Sequence, residues 1–166
     1  MKRFLSFSIL IGLTPLLLAK PKLDYQITKE GVLVTESGTK VLFYQRTTKA
    51  QQGKQARANY IHPLYDLSGN ILTEDFPEDH PHHRGIFWAW HFLEVEGKRM
   101  GDGWTTSDRS WDVHQLKVKR NKDGSLTLYL DVQWKSIHWH KGKKPIVNET
   151  TMIRVYPREG NRRKLD

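Results

Sequence analysis

The chain has 166 residues, carries 27 Lys and Arg against 18 Asp and Glu for a formal charge of +9, and contains no cysteine. Such a length supports one hydrophobic core of ordinary size rather than several compact domains. Without cysteine there are no disulfides, no lipid-modified N-terminal cysteine and no thiol chemistry, so stability has to come from packing.

Lys2 and Arg3 precede an uncharged apolar run from Phe4 to Leu18, and Ala19 is a small residue at which a signal peptidase could cut. Gly12 and Pro15 interrupt the run, which is shorter than the roughly 20 apolar residues of a transmembrane helix. The expectation is a signal peptide over residues 1–19 and a β-sandwich domain over 20–166. The protein is then periplasmic or secreted, retention as an N-terminal anchor being the alternative. Loss of Lys2 and Arg3 with the signal lowers the formal charge by two, to +7. In an exported protein that balance points to acidic glycans, anionic headgroups or a cell wall, and away from nucleic acid.

Beyond the signal, apolar residues recur with period two, and no amphipathic helix is apparent. Leu23 to Ile27, Val32 to Val34 and Val41 to Gln45 read as short strands separated by Glu30-Gly31 and Ser37-Gly38. Thr47 to Arg57 is polar and reads as a connecting loop. Tyr60 to Tyr65 is strand-like despite Pro63, Ser68-Gly69-Asn70 is a turn, and Ile86 to Val95 reads as an aromatic strand. Val113 to Val118 and Leu126 to Trp134 flank Asn121-Lys122-Asp123-Gly124 as a hairpin. On its second arm Leu126, Leu128, Leu130, Val132 and Trp134 share one face and should be core. Ile146 to Tyr156 supplies another strand before a polar tail over Arg158 to Asp166. The fold class expected is all-β, a β-sandwich or a large part of one.

The segment most suggestive of chemistry is Glu74-Asp75-Phe76-Pro77-Glu78-Asp79-His80-Pro81-His82-His83-Arg84-Gly85, which concentrates three of the eight histidines. Imidazole accepts and returns protons near neutral pH, and a neighbouring carboxylate can raise its pKa or fix its tautomer. Three readings are open. His80 with His82 or His83 and Asp79 could coordinate zinc or another transition metal, the same groups could act as a metal-free acid and base, or the loop is only solvated. The six tryptophans are the second signal, because sugar C–H faces stack on indole rings. Trp88 and Trp90 share one strand face and Phe87 and His91 the other, so one pair should be core. Trp104 and Trp139 are the better candidates for exposed platforms. Phosphate loops, dinucleotide fingerprints and a Gly-x-Ser-x-Gly elbow are absent, and no cofactor is assigned.

Arg57-Ala58-Asn59-Tyr60-Ile61-His62-Pro63-Leu64-Tyr65, Leu72-Thr73-Glu74-Asp75-Phe76-Pro77 and His80-Pro81-His82-His83-Arg84-Gly85-Ile86-Phe87-Trp88-Ala89-Trp90 resemble the PmoA-like family of exported bacterial proteins. Trp134-Lys135-Ser136 and Glu149-Thr150-Thr151-Met152-Ile153-Arg154-Val155-Tyr156-Pro157 resemble it too. Members are often labelled methane oxygenase PmoA, but the membrane subunit of that name has several transmembrane helices around copper, and no such span follows Leu18 here. The resemblance implies a secreted β-sandwich, of galactose-mutarotase-like supersandwich type, associated with saccharide-degrading gene sets. It further implies a chain that stops short of the usual family length.

The functional expectation is an exported carbohydrate-active or carbohydrate-binding protein whose His-rich loop contacts a saccharide, acidic in view of the charge. A non-catalytic glycan or cell-surface module and a metal-dependent oxidoreductase are the alternatives. Candidate catalytic residues are His80, His82, His83, Arg84 and Glu149; candidate substrate-binding residues are Asp79, His62, His91, Trp104 and Trp139; no metal ligands are assigned. In an extended loop His82 and His83 would point oppositely, while Arg84, on the His82 side, would grip a substrate carboxylate and could be replaced at little cost in stability. The export signal makes the first prediction: N-terminal sequencing of protein recovered from periplasm or medium should begin near Lys20. Met1 retained in a membrane fraction would contradict it.

Overall fold

The computed structural model describes residues 22–166; residues 1–21, and with them the expected signal peptide, lie outside the described residues. Eleven strands follow in chain order: β1 (Leu23–Ile27), β2 (Gly31–Glu36), β3 (Thr39–Gln45), β4 (Lys49–Gln51), β5 (Lys54–Arg57), β6 (Tyr60–Leu64), β7 (Phe92–Val95), β8 (Lys98–Asp102), β9 (Arg109–Arg120), β10 (Leu126–Ser136) and β11 (Pro145–Val155). A single turn of 3-10 helix, His140–Gly142, precedes the last strand. Among the described residues no helix is long and apolar enough to cross a membrane.

The first sheet has the order β1-β2-β3-β6 and the second β11-β10-β9, while β4-β5 and β7-β8 are separate two-stranded ribbons. Period-two patterning is the cause of the layering. Along β10, Leu126, Leu128, Leu130, Val132 and Trp134 are all at most 3% exposed, as alternation on a half-buried strand requires. Leu23, Val32, Val34, Leu42, Tyr44 and Ile61 from the first sheet join them in one continuous apolar cluster, so the two sheets share a core. The chain is thus an all-β, sandwich-like protein. The long β9-β10 hairpin turns at Asn121 to Gly124, where Gly124 has φ +83° and its N–H donates to the Asn121 carbonyl.

Three expectations need correction. Thr47 to Arg57 is not a loop but the β4-β5 ribbon, whose tip residues Gln52 and Gly53 both have positive φ; this is the twist-matching geometry of a tight hairpin, reached here without the Asn-Gly or Asp-Gly pair that usually announces it. Ile86 to Val95 is a strand only from Phe92 onward. Ile86 makes an isolated bridge to Ile61, the Trp88 carbonyl accepts from the Arg57 guanidinium at 3.1 Å, and the Trp90 carbonyl accepts from the Gly103 N–H at 3.1 Å. These partners replace a ladder. Trp88 and Trp90 are consequently 68% and 55% exposed, and His91 is exposed as well, so neither expected pair is core. The polar tail folds back: Leu165 bridges Val155 and packs on the core, and the Arg163 guanidinium pairs with the buried Glu36 carboxylate.

The shared core yields a stability prediction. Leu128→Ala should cost about 2–5 kcal/mol in urea unfolding, because a fully buried side chain leaves both lost transfer energy and a cavity. Met152→Ala, at a 64% exposed site on β11, should change stability by less than about 0.5 kcal/mol.

Candidate functional site

The long connection between the two sheets, from Tyr65 to Asp108, carries the histidine loop and the β7-β8 ribbon. Loops held by a rigid sandwich are where such folds place binding groups. The histidine loop is pinched at its base. Asp75 and Arg84 pair as an isolated backbone bridge, and their side chains form an ion pair, Arg84 Nε donating to Asp75 Oδ1 at 2.5 Å.

Arg84 is fully buried, which overturns its assignment to a substrate grip. Its Nη1 donates to the carbonyls of Gln55 at 2.6 Å and Lys49 at 3.2 Å, and its Nη2 donates to the Tyr60 hydroxyl at 2.6 Å. The guanidinium lies 3.7 Å from the centre of the Phe76 ring and 4.7 Å from that of Tyr60. Four of the five guanidinium N–H groups are engaged and the side chain has no exposed surface for a ligand, and its removal would strand the Asp75 carboxylate. Burial works against the charge of Asp75, but the Lys49 ammonium at 2.6 Å and the Arg84 guanidinium outweigh it and hold the carboxyl below its usual range.

Between the pinched ends the backbone turns rather than extends. The His83 N–H donates to the His80 carbonyl at 2.8 Å, and the His80 N–H to the Pro77 carbonyl at 3.2 Å. The expected opposition of His82 and His83 is therefore absent. His80 and His83 stack with centroids 4.9 Å apart and 12° between planes, and His82 meets His83 edge-on at 4.6 Å. Both His82 and His83 reach the indole of Trp104, at 5.9 and 5.6 Å. Gly85 makes this placement possible: its φ is +74°, and a Cβ there would lie 2.2 Å from the Ile61 carbonyl oxygen.

The β7-β8 ribbon completes the cluster from the other side. His91 stacks on Trp104 at 5.5 Å, and its Nδ1 is 3.0 Å from Asp102 Oδ2. The other Asp102 oxygen accepts the backbone N–H of Trp104 at 2.7 Å and of Thr105 at 3.3 Å. Burial opposes ionisation of Asp102, yet the hydrogen bonds from His91, Trp104 and Thr105 prevail and lower its pKa. A carboxylate held in this way fixes the His91 tautomer with Nε2 outward, the arrangement a general base needs. Burial, reinforced by the charges of His83 and His80, lowers the His82 pKa, so its imidazole favours the neutral form.

Trp104, His80 and His83 line an open cleft of about 450 Å³ with Thr73, Glu74, Asp79 and Phe87; His82, His91 and Asp102 lie outside that lining and reach it through Trp104. Asp79, exposed beside the opening, has a carboxylate oxygen 2.9 Å from His80 Nδ1. His62 stands behind the wall: its Nδ1 is 3.0 Å from the Thr73 hydroxyl, and burial lowers its pKa. Among the described residues no three His, Asp or Glu side chains are placed as a metal-ligand set.

Two expected members do not join the cluster. Glu149, on β11, accepts from Trp134 Nε1 at 2.6 Å, from Asn59 Nδ2 at 3.1 Å and from the Thr151 hydroxyl at 2.5 Å. Its oxygens are committed to holding β10, β11 and the β5-β6 corner together. Trp139 is half-buried beside the 3-10 turn, where its ring meets His140 at 4.9 Å and none of the Trp104 group. Asp102 and Phe87, which sequence reasoning passed over, are members. The Gly101-Asp102-Gly103 turn was a signal for Asp102, since Asp in a turn commonly caps the N–H groups that follow.

The molecule is thus defined as an all-β sandwich-like protein with an imidazole and indole cleft in the connection between its sheets. Residues 31–166 match the model of a Family of unknown function (DUF6807), and the chain belongs to that family. No curated protein and no solved structure matches it.

The Asp75–Arg84 pair carries a prediction. Asp75→Ala should destabilise the protein by about 3–5 kcal/mol in denaturant unfolding, because it leaves the Arg84 cation buried without its counter-charge. The lowered Asp75 pKa gives stability that is present above the ordinary value of 3.8 and lost as pH falls below it. Wild-type stability should therefore decline in that acid range more steeply than that of the Asp75→Ala variant.

Proposed function

We propose that the protein binds a saccharide in the Trp104 cleft and works outside the cytoplasm, with His91 placed to move a proton to or from the bound sugar. The observation that carries this reading is the gathering of His82, His83 and His91 around one indole within 6 Å, beside an open cleft that the indole and His83 line. Such a surface suits a ligand with an apolar C–H face and a rim of hydroxyls: rings bury the first, imidazoles and carboxylates hydrogen-bond the second. The resemblance of the His-Pro-His-His-Arg-Gly segment to the PmoA-like exported proteins lends the same reading weight.

The charges at the cleft refine the ligand. With Arg84 buried and the lining carboxylates Glu74 and Asp79 at hand, a neutral sugar suits this site better than a uronate. The His91–Asp102 pair favours catalysis over mere retention, since a bare binding surface has no need of an oriented imidazole base. The non-catalytic glycan module is the second reading, favoured by the exposed indoles of Trp88 and Trp90 on either side of Ala89, next in sequence to the cleft-lining Phe87.

Screening of neutral mono- and oligosaccharides by calorimetry should find a ligand whose affinity drops at least about tenfold in Trp104→Ala. His91→Ala should leave that affinity within a few-fold while removing any turnover. Equal affinity of wild type and Trp104→Ala for every sugar that binds would overturn the proposal.

A further inference from the structure

A second cleft, of about 1170 Å³, lies between the β9-β10 turn and the segment that follows β11. Its wall contains Lys122, Arg158, Arg162, Arg163 and Lys164, against the carboxylates Asp123 and Glu159. It shares no lining residue with the Trp104 cleft. We propose that this cleft is a separate site for an anionic saccharide, one bearing carboxylate or sulfate groups.

Three carboxylates in this region, Asp123, Glu36 and Asp166, are already engaged. Asp123 accepts from the Ser125 hydroxyl at 2.6 Å and from Arg154 at 2.6 Å, and these hydrogen bonds, that of Ser125 foremost, lower its pKa. Glu36 is buried and holds both the Arg163 guanidinium and the Arg158 backbone N–H. Asp166 is tied to Lys164 at 2.9 Å and to the Tyr156 hydroxyl at 2.7 Å. Lys122 and Arg162 enter no ion pair among the described residues. An incoming anion therefore meets Lys122, Arg158 and Arg162 against Glu159, a lining carboxylate without an ion-pair partner among the described residues.

Two of the lining cations, Lys164 and Arg158, are also held in place before any ligand arrives. Arg154 and Lys164 lie 4.7 and 4.9 Å from the centre of the Tyr156 ring. Arg158 Nε donates to the Gly160 carbonyl at 2.6 Å, and the Glu159 and Arg162 backbones bridge to each other. Fixed donors lose less entropy on binding than free lysines do. Planar guanidinium groups match carboxylate and sulfate oxygens in pairs. The volume exceeds what a single small ion needs and accommodates several sugar rings. The choice of a saccharide among polyanions rests on the extracellular, saccharide-binding reading above; the anionic character rests on the cleft alone.

The probes are tetragalacturonate, an uncharged galactose tetramer, a single-stranded oligonucleotide and anionic phospholipid vesicles, each titrated at low salt. Tetragalacturonate should bind, lose at least about tenfold in affinity in the double variant Lys122→Glu, Arg162→Glu, and weaken as salt shortens the Debye length from about 30 Å at 0.01 M to about 8 Å at 0.15 M. Both substituted residues sit on the surface, and a circular dichroism melt checks that the variant folds. Trp104→Ala should leave this binding unchanged, which separates failure here from failure at the Trp104 cleft. Absence of tetragalacturonate binding, insensitivity to the double substitution, equal affinity for the uncharged tetramer, or tighter binding of the oligonucleotide or vesicles would each overturn the assignment.

Discussion

Burying the Arg84 guanidinium is expensive unless its charge and donors find partners, and the surrounding structure gives each of its three nitrogens at least one. Asp75 supplies the counter-charge, Gln55 and Lys49 supply carbonyls from the β4-β5 ribbon, and Tyr60 supplies a hydroxyl from β6. One cation thereby fixes the base of the histidine loop, the ribbon beside it and the strand beneath it relative to one another. The geometry of His80, His82 and His83 is a consequence. With the ends of the loop bridged at Asp75 and Arg84, the intervening residues can close only by turning.

Two further buried guanidiniums brace the rest of the connection, although Arg57 Nε and Arg109 Nη1 have no hydrogen-bond partner among the described residues. Arg57, 1% exposed, packs on the Phe87 and Trp111 rings and donates to the carbonyls of Trp88 and Gly103. Burial pulls its pKa down to about 9, with the nearby charge of Arg84 adding to the effect, so it still carries its charge at neutral pH. Arg109 donates to the carbonyls of Met100 and Gly101. Between them they bind the backbone at Trp88 and over the residues that lead into Trp104. Gly103 completes the joint, since a Cβ there would lie 2.7 Å from the Trp90 carbonyl oxygen. Indole and imidazoles are brought together by cations that never reach the cleft.

The two clefts are chemically unlike because their charged groups are used differently. Near Trp104 the arginines are consumed as internal braces, which leaves imidazoles and carboxylates facing the opening. Beyond β11 Arg154, Arg163 and Lys164 pair with Asp123, Glu36 and Asp166, and Lys122, Arg158 and Arg162 remain against Glu159. A formal excess of positive charge in the whole sequence says nothing about this division.

Local sequence determined what depends on local physics. Alternation along Leu126 to Trp134 identified a buried strand face, because side-chain direction has period two whatever the strand's partners are; Asn121 to Gly124 identified a turn, because glycine tolerates the positive φ required there. The dense histidine segment marked the residues that come to line a cleft. Tertiary structure alone decided the rest. Nothing in the local sequence distinguishes Arg84, fully buried, from Arg162 on the surface, since burial of a charge depends on partners as remote as Gln55 and Tyr60. The meeting of His91 and Asp102 with His82 across Trp104 follows from the β7-β8 ribbon folding against the loop. The separation of Glu149 from that group follows from its place on β11, where Trp134 and Asn59 claim its oxygens. Such outcomes turn on which long-range donors and acceptors find one another, and that is settled only when the whole chain packs.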